Sequence, residues 1–253
     1  MLPIIMRSKQ YYAAPIQNEN QAPPLTKAEI KHVINVAGVS GRTPERDQAL
    51  LLCSITTGLR VTEISSIEIR HIVSKDGSFK LEGWIPGKYT KSGKPGPIFV
   101  NNKSFQRALD KYFDYRIVKG HQVTGNLDEY RGLAPDAKVF LTETGYRFAM
   151  SRKTRMVGKG KKKEPKDYYA CDVLERVFKR LYIRAFGDKT NFSSHSGRKI
   201  FCNRLTDLVQ SKKIEDTDLN DVVLLMRSQE LLTIQPYLIP SKSDIINMCK
   251  LIY

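Results

Sequence analysis

Residues 43–64 read TPERDQALLLCSITTGLRVTEI, and this stretch decides the architecture. Thr43 is a helix N-cap residue, and Pro44 falls at the first helical position, where its missing N–H costs nothing. Ala49, Leu50, Leu51, Leu52 and Ile55 leave the helix apolar almost all round, which places it inside a core. Gly58 stops it. An arginine, Arg60, follows just past the stop, and Glu63 comes three residues later, spaced to fix the guanidinium.

Upstream, residues 1–24 carry Gln, Asn and three prolines (Pro15, Pro23, Pro24) without periodicity and read as an extended arm. Order begins at Thr26-Lys27-Ala28-Glu29, a capping box that opens a helix with Ile30, Val33, Ile34 and Val36 on its apolar side. Downstream, Ile67, Ile69 and Ile72 lead to a Lys75-Asp76-Gly77 turn. Phe79, Leu81, Trp84, the segment Gly87 to Gly96 and Pro97-Ile98-Phe99-Val100 come next, and together they predict a small antiparallel sheet over about residues 67–100. Helices are expected over Ser104–Val118, Ala170–Phe186, Ser194–Val209 and Leu219 to about Met226. Val139-Phe140-Leu141 reads as a lone short strand before the Thr144-Gly145 turn. The fold class is α+β, mainly α, with the sheet packed on a helical body: an arm over 1–24, then one domain over 25–253.

Composition bounds the partner. The 253 residues hold 42 Lys and Arg against 26 Asp and Glu, a formal charge of +16, and so much like charge points away from a neutral small-molecule enzyme and towards a polyanion. With 41% hydrophobic residues the chain buries a real core and is not a disordered basic tail. Between 152 and 166 the residues Arg152, Lys153, Arg155, Lys159, Lys161, Lys162, Lys163 and Lys166 face only Glu164. Gly158, Gly160 and Pro165 break a helix there, so the expectation is a solvated, mobile loop or a phosphate-binding segment that orders on nucleic acid.

Cys53, Cys171, Cys202 and Cys249 are dispersed, without zinc-ligand spacing, and are read as buried thiols; no metal and no cofactor are implied. No apolar run approaches a membrane span, and the opening Met1-Leu2-Pro3-Ile4-Ile5-Met6 is too short for a signal-peptide core. A cytoplasmic, DNA-associated protein is expected, so the Asn191-Phe192-Ser193 glycosylation match carries no weight.

Four separated pieces carry chemistry. They are Arg60 within Thr57-Gly58-Leu59-Arg60-Val61-Thr62-Glu63-Ile64, Lys91 in the turn Thr90-Lys91-Ser92-Gly93-Lys94, His195 with Arg198 in Ser194-His195-Ser196-Gly197-Arg198, and Tyr237 in Gln235-Pro236-Tyr237-Leu238. Each alone is unremarkable. In this order they resemble the active-site series of the tyrosine recombinases, the phage-integrase and Xer-like family, over about residues 25–240.

The resemblance implies a site-specific DNA recombinase or integrase that cleaves and rejoins strands through a 3′-phosphotyrosyl intermediate. Tyr237 would be the nucleophile and Arg60 and Arg198 the forks on the scissile phosphate. His195 would bond that phosphate or help Tyr237 lose its proton. Lys91, with Lys88 as a nearby substitute, would protonate the departing 5′ oxygen, and Glu63 would orient Arg60. The residue types suit the chemistry: a phenol with pKa near 10 leaves more readily than a sugar hydroxyl, and planar guanidinium forks match non-bridging oxygens.

Two departures stand out. Met226-Arg227-Ser228-Gln229-Glu230 occupies the place of the family's usual Gly-His, leaving Arg227 or Ser228 as the substitute donor. The 24 residues before Leu25 cannot form the helical core-binding domain that usually precedes the catalytic one. The implied partners are double-stranded DNA, further copies of the chain, as a tetramer on DNA, and accessory DNA-bending proteins. The stripe Ile245, Ile246, Met248, Cys249 and Ile252 within residues 241–253 would bridge or exchange between subunits. The rival readings are a type IB topoisomerase and a catalytically weak DNA-binding regulator that kept the fold.

Overall fold

The computed structural model describes residues 22–90, 93, 95–158, 164–211 and 217–226. The expected residues Lys91, Lys159, Lys161, Lys162, Lys163, Arg227 and Tyr237, most of the N-terminal arm, and the stripe 241–253 lie outside them.

Helix α1 (Lys27–Val39) opens with the expected capping box: Glu29 donates its backbone N–H to the Thr26 hydroxyl while its side chain accepts from the Thr26 N–H. Helix α2 (Pro44–Thr57) is buried nearly all round and packs against α1, α5 (Lys103–Lys119) and α7 (Ser194–Gln210), so it is the central rod. Each fully buried leucine of its middle turn contributes about 1.5–3 kcal/mol, which is why this segment can organise the rest. Helix α6 (Asp172–Phe186) covers α1 with Leu174, Val177, Phe178, Leu181 and Tyr182 inward. Helix α8 (Leu219–Leu225), capped by Asp218, leans on α7.

The sheet expected over 67–100 is smaller than the sequence suggested. Ile69–Ile72 forms a short helix, α4, following α3 (Val61–Ile64), because all of its isoleucines enter the core and no face alternates outward. Among the described residues of that span β1 (Gly83–Ile85) and β2 (Gly96–Ile98) pair, antiparallel, with Trp84 opposite Pro97, and Val73 makes an isolated bridge with Phe79. Leu81 and Trp84, expected to line the sheet, are exposed. The Lys75-Asp76-Gly77 turn is present, closed by the Ser78 N–H donating to Asp76 Oδ1.

Two further expectations are corrected. Val139-Phe140-Leu141 is buried but is no strand; Leu141 makes an isolated bridge with Arg147, and the adjoining Lys138 makes one with Glu68. The Val139 N–H donates to the Ile67 carbonyl at 2.8 Å, and side chains take part of the rest. The Leu141 N–H donates to the Tyr112 hydroxyl, and Arg116, 0% exposed, donates to the carbonyls of Lys138, Val139 and His121. Residues 152–166 are not simply a loop. β3 (Ser151–Val157) and β4 (Glu164–Ala170) form an antiparallel ribbon, exposed along nearly its whole length. Thr154, Met156, Val157, Tyr168 and Tyr169 favour a pleated backbone even where no core lies beneath it.

Candidate active site

The site is assembled where α7 crosses the end of α2. Gly58 ends α2 in the left-handed conformation (φ 60°), its N–H donating to the Ser54 carbonyl. A Cβ at Gly58 would lie 2.3 Å from the Phe201 ring of α7, and one at Gly197 would lie 2.2 Å from Ser54 Oγ. The helices therefore meet at a distance only glycine on each side permits. Leu59 is buried directly after the turn, and the chain emerges at Arg60.

Arg60 caps α3. Its N–H donates to Glu63 Oε2 at 2.8 Å and its Nη1 to Glu63 Oε1 at 3.1 Å. Glu63 is 0% exposed, whereas the arginine side chain keeps 24% of its surface open, so one end of the pair is fixed and the other faces outward.

His195 and Arg198 enter from α7. Ser193 caps this helix by accepting the His195 N–H, and the Ser193 N–H donates to Ser196 Oγ. His195 thus stands in the first turn of a long helix, where free N–H groups and the dipole attract anions. Solvent reaches its ring, yet its pKa is held below the ordinary value by desolvation and by the charges of Arg198, Arg60 and Lys199. The bond from Arg198 to the Gly58 carbonyl brings the start of α7, with His195, beside the chain that emerges at Arg60, although Gly58 and Arg198 are 140 residues apart.

Arg198 is only 1% exposed. Its Nη1 donates to the Gly58 carbonyl and its Nη2 to that of Met226, so it ties the end of α2 to the end of α8. Lys88 is the middle residue of a short 3₁₀ turn (Gly87–Tyr89) beyond β1, exposed, with its Nζ over the Tyr89 ring. Of the ribbon cations, Arg152 pairs with Asp167, Lys153 with Asp172 at 2.6 Å, and Arg155 lies over Tyr168.

Sequence reasoning missed a cluster under the β1 end. Glu68 Oε1 accepts from Lys138 Nζ at 2.9 Å, its Oε2 accepts from Arg70 Nε at 2.8 Å, and Lys138 also donates to the Tyr89 hydroxyl. Burial raises the Glu68 pKa, but Lys138 and Arg70 outweigh it and hold the carboxyl below its usual range. The partners are far apart in sequence, so no local spacing announces them. A cavity of about 330 Å³ lined by Arg42, Arg46, Arg180 and Arg184 sits at the opposite end of α2, and Glu143 and Asp47 already pair with Arg42 and Arg46 there. The described cysteines, Cys53, Cys171 and Cys202, are buried, and burial pushes the Cys202 thiol up to about 11.

No protein-family model matches the sequence, and no curated relative does. Solved structures do. The XerA recombinase superposes with a TM-score of 0.59 at 18% identity, covering 91% of this chain and 65% of that one. The XerH site-specific recombinase bound to its palindromic difH substrate, a post-cleavage complex, gives 0.55 at 16% identity, covering 90% and 52%. Its pre-cleavage complex gives 0.53 at 16%, covering 93% and 55%. The chain thus spans from about half to just under two thirds of these proteins. This chain shares the fold of these recombinase structures.

Proposed function

We propose that this chain is a site-specific DNA recombinase that cleaves and rejoins double-stranded DNA through a 3′-phosphotyrosyl intermediate. The observation that carries the reading is the convergence of Arg60, His195 and Arg198 at the α2–α7 crossing, on a fold shared with recombinases.

In the reaction, Tyr237 Oη attacks the scissile phosphorus. A P–O bond forms to the phenol and the bond to the 5′ oxygen breaks. Arg60, braced by Glu63, presents its outward face to the non-bridging oxygens, where a charge-assisted fork is strongest. Arg198 joins it by exchanging the Met226 carbonyl for a phosphate oxygen. The depressed pKa of His195 leaves its ring neutral near pH 7, able to accept the phenolic proton. Lys91 gives a proton to the departing 5′ oxygen, and Arg227 supplies the donor in the place of the family's usual His. Religation runs the same steps backward with a new 5′ hydroxyl.

Exchange of two duplexes calls for several copies on DNA, a tetramer, with residues 241–253 as the bridge. The basic β3–β4 ribbon holds the flanking duplex. Among the described residues no helix is long and apolar enough to cross a membrane.

The test is a suicide substrate that traps the covalent adduct. The full chain should form an adduct that resists denaturation, and Tyr237→Phe should form none. An adduct formed by Tyr237→Phe removes Tyr237 as nucleophile.

A further inference from the structure

The ribbon has two unlike faces. In an antiparallel pair, directly opposed residues share a face and successive residues alternate. The register sets Arg152 opposite Tyr169, Thr154 opposite Asp167 and Met156 opposite Pro165 on one side. On the other it sets Lys153 opposite Tyr168, Arg155 opposite Lys166 and, towards the tip, Val157 opposite Glu164, so the two facing cations outnumber the one carboxylate beside them.

On the first face Asp167 neutralises Arg152 through a two-nitrogen contact and also accepts from the Thr154 hydroxyl at 2.6 Å. Among the described residues that face has no net charge. On the second face Lys153 is held by Asp172 at the ribbon's base. Farther out, Arg155 and Lys166 stand directly across from each other, with no ion pair to either among the described residues. Like charges opposed across a ladder are destabilising. A bound anion between them reverses that sign.

The ribbon also lies beside the site: β4 packs against α3, the helix that Arg60 caps. Seven residues per strand extend about 23 Å, roughly seven base-pair steps of duplex. A two-stranded ribbon is of a width that the DNA major groove admits.

We infer that the ribbon grips the duplex flanking the scissile phosphate with one face only, Arg155 and Lys166 clamping a backbone phosphate with Tyr168 beneath, while the Arg152–Asp167 face makes no DNA contact. This rests on the recombinase reading for the duplex and sharpens it, because it removes Arg152 from the contact set.

The test measures the affinity of the full chain for a duplex of arbitrary sequence between about 50 and 200 mM salt. Arg155→Gln should reduce the log–log slope by about 0.9, and Arg155→Gln with Lys166→Gln by up to about 1.8, whereas Arg152→Gln should leave it unchanged. Arg155→Lys should keep the slope, which separates lost charge from a disturbed ribbon. Equal slope losses for Arg152→Gln and Arg155→Gln, or none for either, overturn the assignment. Loss of self-association in the double variant, read by sedimentation with the slope unchanged, gives the face to a second copy and overturns it too. Binding needs no chemistry, so the two readings fail separately. A chain that forms no covalent adduct but shows the slope losses sinks the recombinase and leaves the clamp. An adduct-forming chain with unchanged slopes does the reverse.

Discussion

The α2–α7 crossing and the β3–β4 ribbon use arginine in opposite ways. At the crossing, Arg198 is buried, aimed by two glycines that let the helices touch, and bonded to backbone carbonyls. On the ribbon, Arg152 and Arg155 are exposed and only the ladder beneath fixes their side. A guanidinium placed by packing is accurate to the limits of the core, whereas one placed by a ladder is assigned to a face and little more. The first suits a single reacting phosphate, the second a long run of interchangeable ones.

The strongest challenge to this contrast is Gly197→Ala. Its methyl meets Ser54 Oγ at 2.2 Å and Ser54 Cβ at 2.8 Å. Overpacking here should cost about 3 kcal/mol, seen as a lower urea midpoint at unchanged slope. Adding Ser54→Gly should return part of the loss. An unchanged midpoint would mean that the crossing is looser than described.

Next comes His195→Asn, expected to slow adduct formation about 100-fold, or about 2.7 kcal/mol of barrier. Because the native pKa lies below the ordinary 6.5, the wild-type rate should hold as pH falls to 6.5 and decline only below it, as the ring protonates. The variant should lack that acid limb. A limb at or above 6.5 would show that neither burial nor the nearby arginines lower the pKa of the ring.

Gly58→Ala should cost about 2 kcal/mol, part from the left-handed backbone and part from the Phe201 ring. Thermal unfolding measures it, and Gly58→Asn should recover only the backbone part. Smallest is Arg152→Gln, below about 0.5 kcal/mol, since an exposed ion pair contributes little. A thermal shift as large as that of Gly58→Ala would make the ribbon part of the core's support, not a free surface.

The helices of this fold were legible because their signals are local. Thr26 with Glu29, Pro44 and Gly58 are boundary chemistry, and the inward faces of α5 and α6 repeat at helical spacing. Arg60, His195 and Arg198 stand out as candidates through their order along the chain. Their convergence does not, because Gly197 and Ser54 meet only in three dimensions. α4 reads as strand because Ile67 and Ile69 alternate and a single helical turn is too short to show its own period, and the ribbon reads as a loop because exposure along nearly its whole length leaves no alternation. Residues 139–141 escaped because Arg116 and Tyr112, one helix away in sequence, replace the strand partner that the pattern implied.

The bond from Arg198 to the Met226 carbonyl has a thermodynamic consequence for the proposed reaction. A guanidinium waiting in solvent must shed water before it grips a phosphate, and that dehydration is charged against affinity. Here the water is already gone and a neutral carbonyl holds its place. Dehydration belongs to folding, and an incoming oxyanion trades a weaker acceptor for a stronger one. Arrival of the phosphate also frees the carbonyl at the threshold of the segment that carries Tyr237.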